Sequence, residues 1–385
     1  MRTHVLFVCR STPFHGLGGM EVVAWELACG FARHGLDVTF LTAPIPARPP
    51  RFEEAGVRVV TVPGARHTGY SRRWWRGTRA YVREDPSDFD AVFSVSAGAY
   101  GLLPLRRQLG RAAFLLQVHG TSADELISKW RSRDVRAWLT SAKNALWIPR
   151  DLRAYRQFDR IVAVGDAVYR SLTAGPVSPF VRPGQVTCIP NGIDTAVFSP
   201  DADRRAAMRR RFGFPAGATV VVTACRLHPQ KGLRHDLHGF AKFLENRPHA
   251  YFVIMGDGPE KDDLRALSRQ LGVDGRVYFT GAVPRRALPD YLRMGDVFLF
   301  PTLRNEGLPL NVLEAVAVGL PVVVSERVQL SREGIAHYYP VRPTDIGDMA
   351  EKMAAAARHP VPANRLPDRY SLDGTVRRYL ALIPT

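Results

Sequence analysis

Short runs of β-branched and aromatic residues alternate with helix-periodic stretches along most of this chain, and that alternation limits the folds it can adopt. HVLFVC at 4–9 has the pattern of a buried strand, and GGMEVVAWELACGFARHG at 18–35 follows it with an apolar period of about 3.6 residues. The later strand patterns of the first half are DVTFLT, VRVVTV, AVFSVS, AAFLLQV and RIVAVG. Strands that alternate with helices predict a parallel sheet covered by helices, so the predicted fold class is α/β.

A second series of the same kind follows a segment rich in proline, glycine and asparagine, TCIPNGIDTAVFSP at 187–200. Its strand patterns are ATVVVTACRL, AYFVIMG, RVYFTG, DVFLFP and LPVVVS. Because 385 residues are too many for one ordinary core, we expect two Rossmann-like domains, over 1–190 and 198–365. We also expect ligands in a cleft at the carboxyl ends of their strands.

The chain is strongly basic, with a net charge of +17 and a pI near 10.2. Such a charge favours an anionic partner, which can be nucleic acid, an anionic membrane or a phosphorylated substrate. Since no nucleic-acid reading motif is recognisable, nucleic-acid binding is the less favoured alternative, and no nucleic-acid partner is expected. A hydrophobic content of 46% argues against a disordered protein.

The four cysteines are widely scattered, and none of their spacings is typical of a zinc or redox site. We interpret them as free thiols of a reducing compartment. No apolar run reaches the length of about 18 residues that indicates a membrane span. The predicted location is therefore cytoplasmic, with peripheral contact to the inner face of the plasma membrane as a further hypothesis.

A glycine-rich loop, HGLGGME, follows the first strand pattern and opens the first helix. Gly18 and Gly19 leave backbone N–H groups free at the positive end of that helix, which suits a phosphate. A tight turn with no ligand would need the same glycines, and the loop lacks the full dinucleotide-binding spacing.

Two further loops follow strands of the second half. RLHPQKG carries Arg226 and Lys231. The planar guanidinium of an arginine and the flexible ammonium group of a lysine together suit a diphosphate. MGDGPE carries Gly256 and Gly258, which would let the backbone approach a ligand, while Asp257 is interpreted as a turn or cap residue. In a basic protein, Arg226 and Lys231 could also be two surface cations.

His119 follows the strand pattern AAFLLQV in the sequence QVHG. A histidine at a strand end would point into the predicted cleft, although a lone histidine is more often structural. DFD at 88–90 imitates a metal-binding pair, but it precedes its strand, so no metal site is expected there.

Two glutamates, Glu306 and Glu314, are eight positions apart in NEGLPLNVLEAVAVGLPVV. On one helix they would be separated by about 12 Å, more than the 5–9.5 Å or so of glycosidase carboxylate pairs. The spacing fits better with two carboxylates that each accept hydrogen bonds from hydroxyls of one long ligand. The N–H groups of Gly307 and Leu308 would then contact the ligand between them. The alternative is a capped helix start and one exposed acid.

The stretch RHTGYSRRWWRGTRAYVR at 66–83 combines six arginines with four aromatic residues. KNALWIPRDLRAYRQF at 143–158 is a second mixed stretch. Arginine beside tryptophan favours an anionic membrane surface or acceptor. A solvated helix whose tryptophans belong to the core is the alternative.

Several of these stretches, in this order, resemble family 4 glycosyltransferases of the GT-B fold, and they cover most of the chain. They are GGMEVVAWELACGFARHGLDVTFLT, IPNGIDTAVFSP, RLHPQKG, MGDGP and PTLRNEGLPLNVLEAVAVGLPVV. The resemblance implies a retaining hexosyltransferase-type enzyme that moves a sugar from a nucleotide-diphosphate sugar to an acceptor hydroxyl. It also implies that the C-terminal helix 366–385 packs back on the N-terminal domain, and that neither a metal nor another cofactor is needed.

The resemblance implies roles for individual residues. Glu314 matches the glutamate that binds ribose, Glu306 the one near the donor sugar, and His119 the histidine that contacts the sugar. The catalytic residues implied are His119, Arg226, Lys231 and Glu306. The donor-binding residues implied are Gly18, Gly19, Arg226, Lys231, Gly256, Gly258, Gly307, Leu308 and Glu314.

The expected partners are a nucleotide-sugar donor and a carbohydrate, lipid-linked or natural-product acceptor. Relatives suggest bacterial glycolipid, cell-envelope polysaccharide or glycoconjugate synthesis. A glycosyltransferase for a soluble natural product such as an antibiotic is the alternative, and another GT-B enzyme, such as a phosphorylase or an epimerase, is a further one.

Overall fold

A computed structural model describes residues 2–16, 18–85, 88–123, 126 and 147–383. The chain forms two compact units. Unit 1 comprises Met1–Gly192 and Leu372–Thr385, and unit 2 comprises Ile193–Ser371. The α/β class predicted from the sequence is confirmed, since both units are built on largely parallel sheets.

The strands of unit 1 are β1 (His4–Val8), β2 (Asp37–Thr42), β3 (Arg51–Glu54), β4 (Val57–Thr61), β5 (Ala91–Val95), β6 (Ala113–Val118), β7 (Arg160–Ala163) and β8 (Val186–Cys188). They form one sheet in the order β3-β4-β2-β1-β5-β6-β7-β8, in which only the β3–β4 pair is antiparallel. The chain leaves β1 towards β2 and leaves β5 towards β6, on the opposite side. The order therefore reverses between β1 and β5, where ligands bind in sheets of this kind.

Helices cover both faces of this sheet. The helices before the unit boundary are α1 (Gly19–Arg33), α2 (Arg72–Glu84) and α3 (Asp166–Ala174), and residues 147–155 are also helical. Side chains of β1 alternate between the faces, because successive residues of a strand point in opposite directions. Leu6 and Val8 pack with α2 and α3, whereas Val5 and Phe7 pack with α1. Burial on both sides explains the almost continuous apolar strand sequences.

Unit 2 repeats this plan. Its strands are β9 (Thr219–Ala224), β10 (Ala250–Met255), β11 (Val277–Gly281), β12 (Val297–Phe300), β13 (Val322–Ser325) and β14 (Tyr338–Val341). They are parallel in the order β11-β10-β9-β12-β13-β14, so the order reverses between β9 and β12. Its helices are α4 (Ala202–Arg211), α5 (Leu233–Asn246), α6 (Lys261–Gln270), α7 (Leu288–Arg293), α8 (Leu310–Ala317) and α9 (Ile346–Ala356).

The last described helix, α10 (Leu372–Leu380), belongs to unit 1 and packs on α1. A Cβ atom at Gly30 of α1 would lie 2.5 Å from Val376 Cγ2, so glycine permits this close helix contact. His34 Nε2 and Asp373 Oδ1 are 2.8 Å apart at its start. Residues 366–371 lie in unit 2, and 384–385 are outside the described residues.

Candidate functional site

Lys231 and Glu306 meet where the strand order of unit 2 reverses. Lys231 ends the short turn Pro229–Lys231 after β9, and Glu306 lies in the loop after β12. Lys231 Nζ is 2.6 Å from Glu306 Oε1, and the two side chains are 23% and 18% exposed. Thr302 Oγ1 also donates to Glu306 Oε1, over 3.4 Å. The result is a half-buried ion pair at the carboxyl edge of the sheet.

Gly232 sets the position of Lys231. Its φ of +79° is in the left-handed region, and a Cβ atom there would lie 2.6 Å from the carbonyl oxygen of Pro301. Leu303 N also donates to Gln230 O over 2.9 Å. A side chain at 232 would therefore separate the loop that carries Lys231 from the end of β12.

Arg226 lies on the same edge, in a backbone that is fixed on both sides. Cys225 N donates to Met255 O, and Leu227 N donates to Asp257 O, both over 3.0 Å. The Arg226 side chain is exposed, and no described residue forms a hydrogen bond or ion pair with its guanidinium. This cation is available to an anionic ligand.

Gly256 and Gly258 face this backbone instead of open space. A Cβ atom at Gly256 would lie 1.9 Å from Cys225 O, and one at Gly258 would lie 2.3 Å from Leu227 O. Packing against the Arg226 loop thus explains both glycines, and a role in donor binding stays a prediction. Asp257 accepts hydrogen bonds from the Gly258 N–H and from Lys261 Nζ, as a turn residue does.

Glu314 is buried within α8, with 3% of its side chain exposed, and accepts a hydrogen bond from Arg285 Nη1. Burial raises the pKa of Glu314, and the charge of Arg285 and its hydrogen bond act in the opposite direction. No sequence motif marks Arg285, whose partner on α8 is 29 positions away.

The helix pattern assumed for the two glutamates was wrong, because α8 begins at Leu310 with Pro309 as its N-cap. A proline disfavours helical backbone at the residue before it, so the helix cannot extend back to Glu306. Gly307 and Leu308 therefore lie in the loop ahead of α8. A Cβ atom at Gly307 would meet no atom within 4 Å, so its surroundings are open.

In unit 1, the glycine loop follows β1 and contains a carboxylate of its own. Gly18 is the N-cap of α1, and a Cβ atom at Gly18 would lie 2.1 Å from Glu21 Oε2. Ser11 Oγ donates to Glu21 Oε1 over 2.8 Å. Glycine at 18 thus leaves room for the Glu21 side chain, which already faces the positive end of α1. Gly19 is the first residue of that helix and is exposed.

His119 follows β6 and belongs to a chain of hydrogen bonds that reaches α10. Gln117 Nε2 donates to Tyr379 Oη over 2.8 Å, and Gln117 Oε1 lies 3.1 Å from His119 Nε2. Since the amide oxygen accepts, Nε2 carries the proton and Nδ1 is left as an acceptor. Burial lowers the pKa of His119 to about 4, so the imidazole is neutral at neutral pH.

The tryptophans of the basic stretch 66–83 belong to the core. Trp74 and Trp75 are 0% and 8% exposed, and their indole N–H groups donate to Gly98 O and Ala97 O over 2.8 and 3.1 Å. The exposed arginines of α2 are Arg72, Arg73, Arg76 and Arg83. In the second stretch, 143–146 lie outside the described residues, and Trp147 packs on Trp75 with ring centroids 5.8 Å apart. The described helices include none that is long and apolar enough to cross a membrane.

In the DFD turn at 88–90, the side chain of Asp90 binds a backbone N–H group. Asp90 Oδ2 accepts a hydrogen bond from His4 N over 2.7 Å, at the amino end of β1. Within the described ranges, no three His, Cys, Asp or Glu side chains are grouped as metal ligands.

Two family models match consecutive parts of the chain. The model described as Glycosyltransferase Family 4 matches residues 17–197, and the model described as Glycosyl transferases group 1 matches residues 204–370. Together they cover most of each unit and include the Lys231, Glu306 and Glu314 positions.

Curated relatives and a solved structure agree with these models. The chain is 31% identical over 243 residues to a GDP-mannose-dependent alpha-(1-6)-phosphatidylinositol monomannoside mannosyltransferase of Mycolicibacterium smegmatis, covering 61% of this chain and 58% of that protein. It is 29% identical over 336 residues to a D-inositol 3-phosphate glycosyltransferase of Xylanimonas cellulosilytica, covering 80% and 75%. Sucrose-phosphate synthase from Thermosynechococcus elongatus superposes with a TM-score of 0.73 at 19% identity, covering 100% of this chain and 95% of the other.

Proposed function

This chain belongs to the family 4 glycosyltransferases, with the GT-B fold of two Rossmann-like domains, and from that premise we propose the reaction it performs. It transfers a sugar from a nucleotide-diphosphate sugar to an acceptor hydroxyl, with retention of the anomeric configuration. The observation that carries the proposal is the Lys231–Glu306 ion pair at the point where the strand order of unit 2 reverses, on the same sheet edge as Arg226.

In this proposal, the donor binds along the carboxyl edge of the unit 2 sheet. Lys231 has three N–H donors, of which one reaches Glu306 and the others remain for phosphate oxygens. Arg226 contributes a second cation to the diphosphate. Glu314 accepts hydrogen bonds from the ribose hydroxyls, and Glu306 accepts them from the sugar. Ion pairing to Glu306 keeps Lys231 in position before the donor arrives.

The chemical step needs charge stabilisation more than it needs a strong base, because a nucleoside diphosphate is already a good leaving group. The bond from the anomeric carbon to the diphosphate oxygen breaks, and a bond to the acceptor oxygen forms on the same face. The acceptor proton passes to the departing phosphate oxygen. Lys231, Arg226 and backbone N–H groups such as those of Gly307 and Leu308 stabilise the negative charge that develops. His119, as a neutral imidazole, contributes a hydrogen bond to the sugar, and no metal takes part.

For the acceptor, we propose an anionic glycolipid or a related cell-envelope glycoconjugate. The names of both curated relatives above contain an inositol-bearing acceptor, phosphatidylinositol monomannoside in one and D-inositol 3-phosphate in the other. A net charge of +17 supports an acceptor or a surface of negative charge.

Contact with an anionic membrane would be electrostatic. Four arginines of α2 are exposed, whereas the neighbouring tryptophans are buried. The arginines can therefore bind anionic headgroups, but the tryptophans cannot insert into the membrane. Binding to phosphatidylglycerol vesicles is therefore expected at low salt and lost at about 1 M salt, where the screening length falls to about 3 Å. A variant with Arg72, Arg73 and Arg76 changed to glutamine should bind more weakly. Failure of the wild type to cosediment at low salt overturns the membrane part alone.

The reaction itself is tested with nucleotides first. A thermal-shift screen of uridine, guanosine and adenosine diphosphates should identify one base, since a ligand at 100 times its Kd stabilises the fold by about 2.7 kcal/mol. The matching nucleotide sugars are then incubated with phosphoinositol-containing acceptors, and the anomeric configuration of the product is read by NMR. No stabilisation by any nucleoside diphosphate contradicts the proposal, and an inverted product contradicts the retaining mechanism.

A further inference from the structure

Arg285 links three parts of unit 2 beside the buried Glu314. It lies between β11 and α7, its Nη1 donates to Glu314 Oε1, and its guanidinium carbon lies 4.7 Å from the ring centroid of Phe198. Phe198 is 2% exposed, so the ring is a fixed platform for the guanidinium. Arg285 itself is 24% exposed on its side chain, against 3% for Glu314. The partly exposed Arg285 thus contacts the almost fully buried carboxylate of Glu314.

Glu314 needs such a cation to bind hydroxyls as a carboxylate. Burial is the larger effect and raises its pKa, and the charge and hydrogen bond of Arg285 oppose that rise. The strands that pack against α8, β12 and β13, contain only apolar residues and Ser325, and Glu314 is the sole titratable residue of α8 itself. An ionised carboxylate only accepts hydrogen bonds, with about four lone-pair sites, so it can serve Arg285 and two hydroxyl groups together.

We infer that Arg285 is a positioning residue for the donor: fixed on the Phe198 ring, it orients the Glu314 carboxylate so that both hydroxyls of the ribose can donate to it. The inference rests on the proposed function, in which Glu314 binds the ribose. Arg285 acts through Glu314 and touches neither the sugar nor the diphosphate. Its loss should therefore affect nucleotide affinity and leave the chemical step of bound donor nearly unchanged.

The test compares two ligands on two variants. Affinities of the nucleoside diphosphate selected by the wild type, and of its 2′,3′-dideoxy analogue, are measured by calorimetry for the wild type and for Arg285→Gln. We expect Arg285→Gln to weaken the ribonucleotide about tenfold or more, the effect of losing a hydrogen bond to a charged group. The dideoxy analogue, which has no hydroxyl to donate, should bind both proteins equally. Arg286→Gln, a neighbouring exposed arginine, is the matched control and should change neither affinity.

The pH dependence adds a measurement that a purely structural role would not change. In Arg285→Gln, Glu314 loses the cation that opposes the effect of burial on its pKa, so over the pH range in which both proteins are folded, ribonucleotide affinity should begin to fall at a higher pH than in the wild type. The wild type should vary less over that range, and Arg285→Lys should restore part of the affinity. Steady-state kinetics should show a raised KM for the nucleotide sugar with kcat within about threefold of the wild type, as loss of uniform binding does.

The outcomes separate this inference from the proposed function. If Glu314→Gln leaves ribonucleotide affinity unchanged, the role of Glu314 fails. If Glu314→Gln weakens binding and Arg285→Gln does not, only the inference on Arg285 is overturned. Tighter binding by Arg285→Gln also overturns it, since Arg285 would then compete with the ribose. Should Arg285→Gln unfold, Arg285→Lys decides: an equal loss for both ligands overturns the inference, and a loss confined to the ribonucleotide supports it.

Discussion

The two sheets have the same plan, yet the charged residues that follow the strands where their orders reverse have different partners. In unit 2, Lys231 pairs with Glu306 at that point, Arg285 pairs with Glu314 of α8, and no described residue pairs with the exposed Arg226. In unit 1, Arg10 follows β1 and donates to His67 O, Glu21 accepts from Ser11 and faces the helix end, and the uncharged His119 follows β6.

We propose that this difference suits the two units to different ligands. A diphosphate brings negative charge and needs cations that are positioned but not fully neutralised, which is the state of the unit 2 edge. A sugar hydroxyl brings no charge and needs hydrogen-bonding groups that do not ionise, which is the state of His119. Substitutions in each unit should therefore affect different steps, and the effects should be largest in unit 2.

The largest effect is expected from Lys231→Ala. Losing this cation removes stabilisation of the leaving diphosphate, and kcat should fall by about 10²–10³-fold, as for the loss of one preorganised donor. Lys242→Ala, an exposed lysine on α5, is the control. Steady-state rates and a thermal melt of each variant check the result, and a rate for Lys231→Ala within a few-fold of the control would rule out the diphosphate role.

Buried acids of the two units should respond in opposite directions to substitution by asparagine. Asp151 in unit 1 accepts from Tyr100 Oη and Ser122 Oγ, over 2.9 and 2.6 Å, whereas neither carboxylate oxygen of the buried Asp236 in unit 2 has a hydrogen-bond partner among the described residues. We expect Asp151→Asn to destabilise the protein and Asp236→Asn to stabilise it at pH 7, each by about 1–3 kcal/mol.

The stabilisation expected for Asp236→Asn follows from the pKa of Asp236, which burial raises well above its usual 3.8. Above pH 3.8 the unfolded chain releases this proton while the folded protein keeps it, so stability falls as pH rises towards the raised pKa. The advantage of Asp236→Asn should therefore shrink as the pH is lowered towards 3.8. Urea unfolding of the wild type and of Asp236→Asn at several pH values measures the difference in their free energies of unfolding. A difference that does not change with pH would contradict the raised pKa of Asp236 as its cause.

A smaller effect is expected from His119→Ala. The loss of one neutral hydrogen bond to the sugar should lower kcat/KM by about tenfold or less, without changing the affinity for the nucleoside diphosphate. Because the pKa of His119 is about 4, the wild-type rate should show no His119 titration between pH 5.5 and pH 8. NMR titration of the imidazole checks this directly, and a pKa near 6.5 would remove the contrast with unit 2.

Finally, chelation should have almost no effect. If cations of the chain supply the charge that stabilises the diphosphate, then transfer rates after treatment with EDTA should stay within about twofold of those without it. Rates that collapse with EDTA and return with added magnesium or manganese would show that the charges of unit 2 are insufficient.

The α/β class and most central strands were predictable from the sequence, because strands buried on both faces are apolar throughout. Three strands were not predicted. β3 (RFEE) is an exposed edge strand without an apolar run, β8 has only three residues, and β14 contains Pro340, which an edge strand tolerates. These strands depend on pairing with a neighbour more than on their own sequence.

The site was predictable where a motif marks it and not where contacts are distant in sequence. Lys231 and Glu306 were proposed separately, but their ion pair depends on strand order, which brings β9 beside β12. Arg285 lies in no recognised motif and acquires its role only from the position of Glu314. In the basic stretch, Trp74 and Trp75 were ambiguous, since a sequence cannot tell an aromatic residue that faces a sheet from one that faces a membrane.

The position of α10 has a consequence for how the protein is made. On the ribosome, residues 193–371 emerge before 372–380, so the whole of unit 2 is synthesised while unit 1 still lacks its last helix. Until α10 is made, the α1 surface around Gly30 is uncovered, and Gln117 can meet Tyr379 only after residues 193–371 have been synthesised. Although it is encoded first, the half that contains His119 is the second to be completed.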